Sequence, residues 1–143
     1  MKASRWLRAA SVLIALFFLG HTAAVLIPTK SSGPREDAAV QAMRDFRLEV
    51  LGSNRSLWDF WQGMNFLLSA NLLILAVLSW QIARRAQEDA AGIRPLVASL
   101  SGGLVVILVF CWKYFDVPAA GLSSLAAVCM LLALVSLPRR GEA

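Results

Sequence analysis

Four apolar blocks, each about 20 residues long and each bounded by charge or proline, constrain this chain more than any other feature. A hydrocarbon layer about 30 Å thick is crossed by about 20 residues of α-helix. Lipid offers the backbone no water, so a spanning segment must satisfy its own hydrogen bonds. The blocks predict helices over 9–27, 57–83, 96–114 and 119–137. Lys2, Arg5 and Arg8 precede the first, and Pro28 stops it. Arg84 and Arg85 end the second, and Arg94 and Pro95 precede the third. Asp116 and Pro118 force a short turn, and the fourth ends in Pro138, Arg139 and Arg140. The expected fold is all-α: an integral membrane four-helix bundle, one domain over 1–143.

Composition agrees. The chain is 58% hydrophobic, with a mean hydropathy of +0.63. Only 16% of residues are charged, against about 25% in soluble domains. The net charge of +5 and pI near 10.0 would suggest nucleic acid in a soluble protein. Here the basic residues flank apolar blocks, so membrane orientation accounts for them and nucleic acid is not an expected partner. Cys111 and Cys129 lie inside apolar blocks without CxxC or zinc spacing and read as small hydrophobes.

The first block has the basic start, apolar stretch and small residues (Thr22 to Ala24) of a signal peptide. Its apolar run continues through Val25, Leu26 and Ile27, beyond a plausible cleavage point, so an uncleaved helix is expected. Lys2, Arg5, Arg8, Arg84, Arg85, Arg94, Arg139 and Arg140 fall on one side of the membrane. Lys30, Arg35, Arg44, Arg47, Arg55 and Lys113 fall on the other, several of them far from a helix end. Both termini are therefore expected in the cytoplasm.

The first external loop is turn-like through Ser31, Ser32, Gly33 and Pro34. Over 35–51, Val40, Met43, Phe46 and Val50 form an apolar stripe at helical spacing, with Gly52 as a C-cap. This predicts a short interfacial helix on the outer surface or over the mouth of the bundle.

Polar side chains inside a bilayer are costly, so each needs a partner or a task. Trp58, Gln62, Asn65 and Ser69 follow spacings of four, three and four, one narrow stripe that should face other helices. The plain reading is interhelical hydrogen bonding; the sharper one is ligand binding. Asn71 lies on another face and needs its own partner. His21 sits about 9 Å below the outer end of its helix, and Gln62 and Asn65 lie at about 8 to 12 Å. His21 can therefore meet either amide, with Gly20 and Ala24 permitting close approach. Asp59, Lys113, Tyr114, Asp116, Glu49 and Arg55 gather at the same side. The inner half reads as nearly featureless apart from Asn71, Trp80 and Gln81. Gly102 and Gly103 suit tight helix packing, and Trp58, Trp61, Trp80 and Trp112 suit an aromatic belt. No HExxH, Walker, dinucleotide or GxSxG pattern occurs, and one histidine suits neither zinc nor haem; no metal or cofactor is expected.

Gly20-His21-Thr22 closing the first block, with Arg55-Ser56-Leu57-Trp58-Asp59-Phe60-Trp61-Gln62-Gly63 opening the second, resembles an uncharacterised family of small bacterial four-helix membrane proteins. The resemblance spans nearly the whole chain. It implies four spans and a bacterial inner membrane, and no activity.

The leading functional reading is an outward-facing polar pocket for a small or lipid-like molecule, lined by His21, Asp59, Gln62 and Asn65 and covered by Glu49 and the surface helix. One competitor is a membrane enzyme using His21 as acid or base on a lipid-soluble substrate, oriented by Asp59 or Glu49. The other is a structural or accessory subunit, associating with itself or with a membrane partner protein, whose polar residues only join helices. Transport by a single copy fits poorly, because four short spans without an inverted repeat leave little room for a path.

Overall fold

The computed structural model describes residues 2–27 and 30–138. Pro28, Arg139 and Arg140, read above as a helix stop and flanking charge, lie outside the described residues. Within them the order is α1 (Lys2–Leu26), α2 (Pro34–Asp45), β1 (Arg47–Val50), β2 (Ser53–Ser56), α3 (Leu57–Arg85), α4 (Arg94–Tyr114) and α5 (Val117–Val135). The structure is helical apart from one antiparallel hairpin. Helices α1, α3, α4 and α5 are each long and apolar enough to cross a membrane. Between 22% and 39% of each apolar span is buried inside the protein. The remainder is the outward apolar surface that a multi-pass membrane protein offers to lipid.

The chain divides into two compact units: Met1–Leu19 with Leu72–Ala143, and Gly20–Asn71. In the first, burial follows a seven-residue period. On α1 it runs through Ala3, Leu7, Ala10, Ile14 and Phe17, and on α3 through Leu72, Ala76, Ser79 and Ala83. Alternating steps of four and three keep one narrow seam facing its neighbour, as in coiled-coil packing. The seams are rich in alanine and serine, which let backbones approach where lipid supplies no hydrophobic drive between helices. The Ser4 hydroxyl donates to the Ala83 carbonyl (2.8 Å), and the Ser11 hydroxyl to the Ala76 carbonyl (2.8 Å). Partner numbers fall on α3 as they rise on α1, so the two run antiparallel here. Gln87 extends the set by donating to the Ser4 oxygen (3.2 Å). Helices α4 and α5 pack against each other through Val97, Ser101, Leu104 and Cys111 on one and Ala120, Ser123, Ala127 and Met130 on the other. The Asp116 carboxylate caps α5 by accepting from the Ala119 N–H (3.1 Å). The Arg94 guanidinium donates to the carbonyls of Leu134 (2.9 Å) and Leu137 (2.7 Å), where α5 ends.

Three expectations need correction here. The half read as featureless holds buried hydroxyls at Ser4, Ser11, Ser79 and Ser101, which hydropathy alone does not flag. Gly102 and Gly103 are exposed, with nothing near the position of an added side chain, because the buried face of α4 passes through Ser101 and Leu104. Asn71 is also exposed and satisfies itself, donating to the Leu67 carbonyl of its own helix (2.8 Å).

In the second unit, the loop helix predicted over 35–51 stops at Asp45. It starts with Gly33 and Pro34, carries Glu36 and Asp37 in its first turn and Arg44 in its last, and so complements its dipole at both ends. Phe46 turns extended (φ −72°, ψ 112°), and residues 47–56 form the hairpin. Phe46 and Val50 fit a period of two as well as a helical one. The hairpin pairs Arg47 with Ser56, Leu48 with Arg55, Glu49 with Asn54 and Val50 with Ser53. Its two-residue turn, Leu51–Gly52, has φ of 51° and 78°. Both are positive, as a type I′ turn requires, so Gly52 is a turn residue and not a helix cap. The stripe residues Val40 and Met43 are only half-buried and Phe46 and Val50 are exposed.

Candidate functional site

The second unit contains the residues that the sequence singles out. The stripe on α3 faces inward as expected: Trp58, Gln62 and Asn65 are half-buried and Ser69 is buried, while Phe60, Gly63, Met64, Phe66 and Leu67 are exposed. The Thr22 hydroxyl donates to the Ser69 oxygen (3.0 Å). His21 Nε2 lies 3.2 Å from the Asn65 backbone carbonyl. A carbonyl only accepts, so this bond places the proton on Nε2. The expected depth match between His21 and Asn65 therefore holds, but the contact is to backbone. The Asn65 amide instead donates to the Trp61 carbonyl one turn earlier (2.8 Å). Gly20 is exposed with nothing beside it and takes no part in the approach.

Asp59 has a local task. Its backbone N–H donates to the Ser56 hydroxyl (3.1 Å), and its carboxylate accepts from the Ser56 N–H (2.9 Å). This reciprocal pair is a capping box that starts α3 where β2 ends. Asp59 and Arg55 also border a hollow of about 540 Å³ that includes Phe60 and Leu67. Glu49 is exposed on β1 opposite Asn54 and does not line either hollow.

The main hollow is a groove of about 590 Å³ between the end of α1, one face of α2 and the start of α3. Its apolar walls include Leu26, Ile27, Val40, Trp58 and Trp61, and its charged groups are Glu36, Asp37 and Arg44. The Trp58 and Trp61 ring centroids are 4.9 Å apart with the planes tilted by 32°, forming an aromatic corner. The Arg44 guanidinium stands over the Trp58 ring, 5.0 Å from its centroid. Asp37, Val40, Gln41 and Arg44 share one face of α2 by their spacing of three, one and three. Gln62 lines both this groove and the hollow bordered by Asp59. Its side-chain carbonyl oxygen is buried and has no hydrogen-bond partner among the described residues. Such an orphan acceptor costs about 1–3 kcal/mol unless something donates to it. Glu36 closes the turn before α2 by accepting from the Ser32 N–H (2.6 Å), which holds its carboxyl below the ordinary glutamate range.

Of the expected site residues, then, Gln62 lines the groove, Asp59 starts its helix, His21 and Asn65 join α1 to α3, and Glu49 stands apart. Sequence reasoning missed Glu36, Asp37, Arg44 and the pairing of Trp58 with Trp61. The helical spacing from Asp37 to Arg44 was the available signal. Among the described residues, no group of three or more histidine, cysteine or carboxylate side chains is placed to hold a metal ion. No protein-family model matches the chain, and searches of curated proteins and of solved structures likewise return no match.

Proposed function

We propose that this chain is a multi-pass protein of a bacterial inner membrane, a four-helix bundle with both termini cytoplasmic, that binds an amphiphilic small molecule in the groove between α1, α2 and α3. The carrying observation is the groove itself. Its volume of about 590 Å³ lies in the usual range for ligand sites. It joins an aliphatic and tryptophan wall to carboxylates and a guanidinium. An amphiphile has the matching division, an apolar tail and a polar head. The orientation is supported by the eight basic residues that flank helix ends on one side against six on the other. In this reading the polar stripe on α3 mainly fastens helices: Thr22 with Ser69 and His21 with Asn65 both make interhelical bonds.

The test is retention of lipid or a brominated fatty amphiphile by the purified protein in mild detergent, followed by native mass spectrometry and tryptophan quenching. Trp61→Ala is expected to weaken binding about tenfold, since removing one wall of an aromatic site costs about 1.5 kcal/mol. If Trp61→Ala and wild type retain the amphiphile equally, the groove is not its site.

A further inference from the structure

We infer that the groove selects a phospholipid headgroup carrying both a phosphate and a primary ammonium, of the phosphoethanolamine kind. The inference rests on the amphiphile reading above and adds the chemistry of the head. Both signs of charge line this one groove, and they are ordered along α2. Glu36 and Asp37 occupy its first turn and Arg44 its last. From Asp37 to Arg44 is seven residues, about 10 Å along the axis, so an anionic and a cationic group of one ligand can each meet its complement.

Arg44 is oriented by Trp58. With the guanidinium carbon 5.0 Å from the ring centroid, the ring face attracts the cation, and a guanidinium has a pair of N–H groups that can bind a phosphate as a fork. The carboxylates of Glu36 and Asp37 line the same groove and are the complement of an organic ammonium. A primary ammonium can donate N–H hydrogen bonds to the Glu36 and Asp37 carboxylates, whereas a quaternary one has no N–H to give. A phosphoglycerol head carries the same phosphate but ends in a neutral glycerol, so it offers Glu36 and Asp37 no cation. The tail follows the aliphatic wall at Leu26, Ile27 and Val40, the side continuous with the spanning helix α1.

The experiment uses the full chain in detergent and brominated lipids of identical acyl chains with phosphoethanolamine, phosphocholine or phosphoglycerol heads, plus diacylglycerol. Affinity is read by tryptophan quenching and checked by native mass spectrometry. Phosphoethanolamine is expected to bind about tenfold tighter than either other phospholipid, the size of one charge-assisted hydrogen bond. Arg44→Gln should weaken all three phospholipids and leave diacylglycerol unchanged. Asp37→Asn should abolish the preference for phosphoethanolamine over phosphoglycerol; Asp37 is used because Glu36 also closes a turn. Equal binding of all four lipids overturns the headgroup assignment and leaves amphiphile binding intact. Tighter phosphoglycerol or phosphocholine binding also overturns it. Retention of no lipid by wild type overturns both readings. Unchanged thermal unfolding of Arg44→Gln separates a lost contact from a lost fold.

Discussion

Asp59 is the residue for which a ligand role and a structural role make opposite predictions, and its partner Ser56 separates them. The two residues exchange hydrogen bonds across the first turn of α3, at 2.9 and 3.1 Å. Ser56 is buried, so removing its hydroxyl leaves the Asp59 N–H without its partner in a place water reaches poorly. Loss of a serine N-cap costs about 1 kcal/mol, which in a chain of this size lowers Tm by about 3–5 °C. Ser56→Ala should show that loss in thermal unfolding in detergent. Asp59→Asn should shift Tm in the same direction, because it removes negative charge from a helix N-terminus. The double variant should lose less than the sum, because each change spoils part of the same reciprocal pair. Amphiphile affinity should be the same in all four proteins. If Asp59→Asn abolishes binding while Ser56→Ala leaves it untouched, the capping account of Asp59 is wrong and the residue belongs to a ligand site.

Three further expectations follow from the second unit. Thr22→Val removes the donor to Ser69 and should lower stability by about 1 kcal/mol, with Ser69→Ala adding little on top; full additivity in SDS titration of mixed micelles would show that the two hydroxyls are not coupled. Leu51→Asn should stabilise the hairpin by about 1 kcal/mol, since asparagine tolerates the left-handed region and leucine does not; slower amide exchange at Leu48 and Val50 would register it, and unchanged exchange would count against the strain. Glu36 is held below its ordinary range by the Ser32 N–H, so the contribution of that turn is complete above the unfolded pKa and is lost as pH falls through the folded one. Ser32→Pro removes the donor and should raise the Glu36 midpoint in a carbon-detected NMR titration; an unmoved midpoint would contradict the assigned cause.

The four long apolar helices were legible because an apolar run of about 20 residues has only one stable use of its backbone in lipid. Their ends were less so. Helix α1 reaches back to Lys2 because lysine and arginine are good helix formers, and a helix need not stop where a membrane would. The hairpin was illegible for two reasons. Phe46 and Val50 satisfy two periodicities, and its turn carries leucine where asparagine or aspartate would announce a type I′ geometry. At the candidate site, helical rise alone located Asn65 opposite His21. It could not foresee that an asparagine amide would turn back to the carbonyl of Trp61 and leave its own backbone carbonyl to the histidine. The groove escaped because one of its walls is α2, whose placement depends on the path of the chain after α1 rather than on any pattern within residues 34–45.

Arg94 shows how one side chain ties two requirements together. The last carbonyls of a helix have no partner within it and carry the negative end of its dipole. By donating to Leu134 and Leu137 from the first turn of α4, Arg94 joins the open ends of the α4–α5 pair, whose other ends are held by the turn that Asp116 caps. The pair is thus a latched loop of two helices, closed at one end by the Arg94 hydrogen bonds and at the other by the short link through Phe115 and Asp116. In the orientation proposed above, the same guanidinium is one of the flanking positive charges by which a bilayer sorts helices. A substitution that neutralised it would therefore unfasten the latch and weaken the topological signal in a single step, so insertion and folding of this pair are not independent targets for mutation.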